Sequence, residues 1–159
     1  MGWWRTPQQR EAVRKLVQGT SALARRRWDL ALERLQEACR LDPQLYGARV
    51  NLGLALLGLE RYTAAIEQFR QATALDPGRP KAWMNIAVAE AALGHVDRAR
   101  EILERLVATH PRQRDLHYNL ATLHLRRGQP LLALAELELE LAGHPGHRLA
   151  RELVRRVRA

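Results

Sequence analysis

The sequence predicts an all-α solenoid of four helix-turn-helix repeats closed by a C-terminal helix. Three observations lead there. Prolines fall at Pro43, Pro77, Pro111 and Pro145, each 34 residues after the last. With repeats beginning at Ala12, Tyr46, Pro80 and Arg114, the twentieth residue is Ala31, Ala65, Ala99 or Ala133, an alanine every time. The twenty-fourth is Leu35, Phe69, Leu103 or Leu137, a large apolar residue every time. A fixed period of 20–50 residues is the mark of a repeat architecture, in which each element buries its apolar face against a neighbour.

Each repeat reads as two helices. In the second, Val50–Leu57 forms the first helix and Gly58-Leu59-Glu60-Arg61-Tyr62 the turn. Thr63 is placed to cap a second helix that runs to about Leu75. Asp76-Pro77-Gly78 ends it, because proline cannot continue a helix and glycine tolerates the conformations that follow one. The third repeat has Gly94 in the turn and Asp97 at the capping position. The eighth residues include Gly19, Gly53, Ala87 and Ala121; they are expected to face the twentieth-position alanines and let paired helices approach closely. Leu134–Leu141 alternates as a strand would, but its register within the repeat predicts helix.

The ends read as caps. Thr6-Pro7-Gln8-Gln9 carries a capping box with proline at the first helical position. Leu149, Leu153 and Val157 lie four residues apart on an arginine-rich segment, the pattern of a one-sided lid over the fourth repeat. The boundaries are therefore 6–45 for the N-terminal helix and first repeat, 46–79, 80–113 and 114–147 for the next three, and 148–159 for the capping helix.

Composition narrows the function. Hydrophobic residues make up 47% of the 159, ordinary for a folded domain, and the formal charge is +9. Residues 1–28 carry net +6 and residues 144–159 net +4, so the remainder is balanced. No stretch approaches the roughly 18 apolar residues of a membrane span. The first residues lack the pattern of a secretory signal. One cysteine, Cys39, forms no internal disulfide and fits a reducing compartment, so a cytoplasmic location is expected, with Cys39 as a small packing residue. Neither a phosphate loop nor a nucleophile–base pair can be read, and no enzymatic activity or cofactor is expected. Six histidines raise the question of metal. His117 and His124 stand seven apart on one helix, about 10 Å along its axis, too far to share an ion. His144 and His147 show no further ligands in their neighbourhood of the sequence, so no metal is expected.

With Leu52-Gly53, Ala65, Phe69, Ala72 and Pro77 in the second repeat, and Trp83, Ala99 and Pro111 in the third, the chain resembles the tetratricopeptide repeat family over residues 12–147. It departs at Glu90 and His124 in the eleventh position and at Leu106 and Glu140 in the twenty-seventh, usually alanine. The resemblance implies a right-handed solenoid whose first helices line a concave groove that takes a peptide or a partner's helix. It further implies that Asn51, Asn85 and Asn119, all sixth residues, face that groove. An asparagine amide supplies both donor and acceptor to an extended backbone. Val50, Leu54, Met84, Val88, Tyr118 and Thr122 make the groove mostly apolar, with Lys81 and Arg126 among its few charges. A clamp that some members use for a C-terminal carboxylate maps to Leu16, Thr20, Asn51, Lys81 and Asn85; only Asn51 and Lys81 agree, which disfavours that ligand.

The expected partner is another protein or peptide, held as on a scaffold. Self-association through Trp3 and Trp4 or the terminal helices is a further expectation. The alternative reading is contact between the arginine-rich ends and nucleic acid or an anionic membrane. The basic clusters carry no binding motif, so neither partner is preferred.

Overall fold

The computed structural model describes residues 6–159, and these contain helices and turns but no strand. The helices are α1 (Pro7–Ala24), α2 (Trp28–Leu41), α3 (Tyr46–Gly58), α4 (Tyr62–Leu75), α5 (Pro80–Ala92), α6 (Val96–Thr109), α7 (Leu116–Arg126), α8 (Pro130–Gly143) and α9 (Arg148–Arg158). Their order and lengths follow the 34-residue repeat, two helices to each repeat and one more after the fourth. Leu134–Leu141 lies inside α8, so the repeat register prevails over local alternation. Trp3 and Trp4 lie outside the described residues. The chain divides into two compact bodies, one ending at Ala89 and one running from Glu90 to Ala159.

In the N-terminal body α1 packs on α2, α3 on α4, and α3 also on α1 and α2. The capping box at its start is formed: Thr6 Oγ1 accepts from the Gln9 backbone N–H at 3.1 Å, and Gln9 Oε1 accepts from that of Thr6 at 3.0 Å. Small residues at the hairpin seams (Ala12, Ala31, Ala48, Ala65) are wholly buried, and so are Leu35 and Phe69. The glycines face differently from expectation. A Cβ on Gly19 would lie 2.5 Å from Leu35 Cγ, and one on Gly53 2.4 Å from Phe69 Cε1. The eighth position therefore yields to the large twenty-fourth residue. Lys15 ties α1 to α2 through Glu37 at 2.6 Å. The hydrogen bond from that ammonium holds the Glu37 carboxyl below its ordinary range. A lowered folded value means that this contribution is present above the ordinary carboxylate range and is lost as pH falls through the folded value.

In the C-terminal body α7 packs on α6 and α8, and α8 on α9. Ala121, Ala133, Leu137 and Ala150 form a buried cluster, with Tyr118, Leu125, Leu153 and Val154 packed around it. The lid expectation needs correction at one residue. Leu149 is 56% exposed, whereas its neighbour Ala150 is wholly buried, so the inner face of α9 is centred on Ala150, Leu153 and Val154.

The hairpin turns share a backbone device that the sequence shows only in part. Arg27 N–H donates to Ala22 O, Arg61 N–H to Leu56 O, His95 N–H to Glu90 O and Gln129 N–H to His124 O, at 2.9–3.0 Å. Each bond spans five residues backward, as at the glycine-rich ends of many helices. The fifteenth residue of each repeat takes positive φ to permit it: Arg26 at 55°, Glu60 at 59°, Gly94 at 88° and Gly128 at 70°. Because backbone closes the turn, the second helices begin at Tyr62 and Val96 on Arg61 and His95, neither of which makes a side-chain cap bond. Thr63 and Asp97 sit within the first turn and are not the caps expected. Glu60 carries a Cβ in a region that disfavours one by about 1–2 kcal/mol. Glu60→Gly is expected to raise stability by up to about 1 kcal/mol, net of glycine's extra chain entropy. A denaturant melt that shows no change or a loss would contradict this account of the turn.

Candidate functional site

The sixth-position asparagines of the N-terminal body differ in what they hold. Asn51 on α3 donates from Nδ2 to Thr20 Oγ1 on α1 at 2.7 Å, and that hydroxyl donates onward to Leu16 O at 2.8 Å. Asn85, one repeat later, has the same register, but the residue corresponding to Thr20 is Leu54, which offers no acceptor. The buried Asn85 Nδ2 has no hydrogen-bond partner among the described residues. A buried amide donor left unmatched costs about 1–3 kcal/mol.

Lys81, Asn85 and Val88 share one side of α5 at intervals of four and three residues, spanning about 10 Å. Lys81 is exposed, Asn85 half-buried and Val88 40% exposed. Cation, half-buried amide and apolar group thus follow one another along one side of α5, with the amide Nδ2 itself covered. Leu54 is half-buried on α3. Two expected groove residues are displaced from it: Val50 is 1% exposed and Met84 7%. They support the first helices from within and present little surface, because each stands one residue before its asparagine, about 100° around the helix.

The C-terminal body places its four expected residues in contacts of its own. Asn119 is half-buried, and its carbonyl accepts from Thr122 Oγ1 at 2.7 Å. The Tyr118 ring stacks on His147 with centroids 5.1 Å apart. Arg126 donates from Nη1 to Ala91 O.

His147 has the neighbours that its stretch of sequence did not reveal. Its Nε2 lies 2.7 Å from Asp115 Oδ1 and 3.7 Å from Glu140 Oε1, and both His147 and Glu140 are buried. The three could present oxygen and nitrogen atoms within 4.8 Å of one another. Their hydrogen bonds assign them another role. His147 Nδ1 accepts from the Ala150 N–H at 3.2 Å, which caps α9. With Nδ1 accepting, the neutral ring carries its proton on Nε2 and donates it to Asp115. Glu140 accepts from the backbone N–H of Asp115 at 2.9 Å and more weakly from that of Tyr118 at 3.4 Å, at the start of α7. The cluster joins the starts of α7 and α9 to α8.

His95, His117 and His124 also have side-chain partners of their own. His117 Nδ1 meets Glu136 at 2.7 Å, His95 Nδ1 meets the buried Glu90 at 2.7 Å, and His124 Nδ1 meets Gln129 at 3.0 Å. Cys39 is 6% exposed, and burial pushes its thiol above the ordinary range. That is the environment of an inert packing cysteine.

Two tetratricopeptide repeat models match the sequence, one over residues 16–80 and the other over 56–117. Together they span most of the chain, which belongs to the tetratricopeptide repeat family. Solved structures share the fold. A thermophilic repeat protein from Thermus thermophilus is 21% identical with a TM-score of 0.80, the match covering 87% of this chain and 77% of that one. YrrB, described as having an unusual peptide-binding site, is 21% identical with a TM-score of 0.68 over 85% and 70% of the two chains. The second repeat domain of human RPAP3, solved with the HSP70 peptide SGPTIEEVD, is 20% identical with a TM-score of 0.68 over 73% and 97%. None of the curated proteins matches the sequence. No helix among the described residues is long and apolar enough to cross a membrane.

Proposed function

We propose that the chain is an interaction scaffold that holds an extended or apolar polypeptide segment against the first-helix face of its N-terminal body. The observation that carries this reading is the unmatched Asn85 amide in line with Lys81 and Val88. A peptide carbonyl would satisfy Asn85 Nδ2 once the side chain rotates to bring that covered donor to the surface. Val88 and Leu54 would cover an apolar side chain, and Lys81 would meet an acceptor or a carboxylate. Asn51 is secured by Thr20, so on this account it shapes the face while Asn85 does the gripping. The peptide-bound relatives lend the family precedent. The acidic tail ligand of the RPAP3 domain is not carried over, because Leu16 and Thr20 lack the charge and amide of the matching clamp positions.

A peptide library displayed on phage tests this directly. Selected peptides are expected to bind the wild-type chain and to lose at least tenfold in affinity to Asn85→Ala combined with Val88→Glu. That factor corresponds to about 1.4 kcal/mol, within reach of one lost hydrogen bond and one lost apolar contact. Equal binding to the two proteins would refute the assignment.

A further inference from the structure

The four repeats are internal controls for one another, and the outward face of α8 departs from the other three. At the eighteenth position of the first three repeats stand Asp29, Thr63 and Asp97; in α8 it is Leu131. The twenty-second is Glu33, Glu67 and Glu101, against Ala135. The twenty-sixth is Glu37, Gln71 and Arg105, against Leu139. These three residues of α8 are exposed, as is Leu132: Leu131 by 81%, Leu132 by 50% and Leu139 by 54%. Polar residues, exposed at every one of these places except the half-buried Glu37 and Gln71, have thus been exchanged for a strip of apolar ones along α8. An exposed strip of this kind marks an interaction site more often than a solvated face.

Its surroundings specify the occupant. Leu139 also borders a surface depression with Pro111, His117 and Gly143, room for an inserted side chain. On the side marked by Glu138, Arg158 of α9 pairs with that carboxylate at 3.0 Å, linking the strip to the outer face of α9. That helix carries five arginines and one acid, and among the described residues only Arg158 of the five is ion-paired. Arg148, Arg151 and Arg155 fall on one side at intervals of three and four, all exposed and lining one depression with Glu152.

We infer that α8 and α9 together dock an amphipathic helix of a partner protein, its apolar stripe on Leu131, Leu132 and Leu139 and an acidic edge on Arg151 and Arg155. Size argues for one helix over a second copy of this chain. A strip of three leucines is a few hundred Å² at most, against the ~800 Å² per partner of a stable dimer. A membrane is the poorer fit, because the apolar side of α9 (Ala150, Leu153, Val154) is already spent on its own core. Glu152, among the arginines, opposes a uniformly anionic nucleic acid, whereas a polypeptide of mixed charge can accommodate it.

The probe is a synthetic 18-residue helix with a leucine stripe flanked by glutamates, labelled for fluorescence anisotropy, and a twin flanked by lysines. One variant, Leu131→Asp with Ala135→Glu and Leu139→Arg, gives α8 the residues that α6 carries in the same register, so circular dichroism should show an unchanged fold. A second is Arg151→Glu with Arg155→Glu. The acidic-edged probe is expected to bind the wild type, to lose at least tenfold on the first variant, and to yield to the lysine-edged twin on the second. The Asn85 and Val88 face is untouched in both variants, so this result is independent of the groove assignment. Absence of binding, or equal binding of the two probes, would overturn the inference. A concentration-dependent dimer dissolved by the first variant would assign the strip to a second copy. Arginine-dependent but leucine-independent binding to anionic vesicles or duplex DNA would assign the arginines to those surfaces.

Discussion

Truncation of Phe69 to alanine is expected to cost about 3–5 kcal/mol, enough to unfold much of a marginally stable domain. Phe69 is wholly buried, and its ring occupies the space left by the absent side chain of Gly53. The two positions are one packing decision made twice in the sequence. Gly53→Val is therefore also expected to destabilise, by about 1–3 kcal/mol for overpacking, even though replacing a mid-helix glycine gains back up to about 1 kcal/mol in chain entropy. The test is coupling: Gly53→Ala should be markedly better tolerated when Phe69 is leucine than when it is phenylalanine. Equilibrium denaturation of the two singles and the double gives the interaction energy. Strict additivity would mean that the hairpin does not close on this contact.

Glu140→Ala is expected to destabilise the C-terminal body by about 2–3 kcal/mol, against what the repeat pattern alone suggests. The twenty-seventh position is Ala38 and Ala72 in the first two repeats, so alanine restores the familiar residue. The structure gives Glu140 work that alanine cannot do. It is 1% exposed, accepts from the N–H groups at the start of α7, and neighbours His147, whose ring caps α9. Removing it leaves part-buried backbone donors without their acceptor, where an unmatched buried donor costs about 1–3 kcal/mol. Glu140→Gln keeps an acceptor oxygen and should cost less than alanine. Native-state amide exchange would register the change at the starts of α7 and α9. An alanine variant as stable as the wild type would contradict this account.

Phe69 and Glu140 also mark how far the sequence could be read. Local and periodic features were legible because each depends on one position or on a repeated one. The capping box at Thr6, the proline-terminated helices and the small and large residues of the seams are of this kind. The left-handed turn residue was visible only where it is glycine; Arg26 and Glu60 reach the same backbone without a distinctive side chain. Which residue faces an interhelix glycine depends on the rotation of two helices about their axes, so the twentieth position was expected and the twenty-fourth is found. Register placed Asn51, Asn85, Lys81 and Val88 on the first helices, but the inward turn of Val50 and Met84 is a matter of about 100° that family position alone did not resolve. The Asp115–Glu140–His147 cluster joins residues 25 and 32 apart in sequence. Its one local trace was a charged residue where the repeat favours alanine.

Capture of a binding polypeptide at two ionic strengths is the most direct test of the scaffold reading. The wild-type chain and Asn85→Ala with Val88→Glu would be used as matched baits, with bound proteins identified at low and at high salt. An apolar, backbone-gripping face predicts partners that persist at high salt on the wild type and disappear from the double variant. Partners equally retained by both baits, or lost from the wild type as salt rises in the manner of arginine–phosphate contacts, would contradict the claim that this face holds a polypeptide.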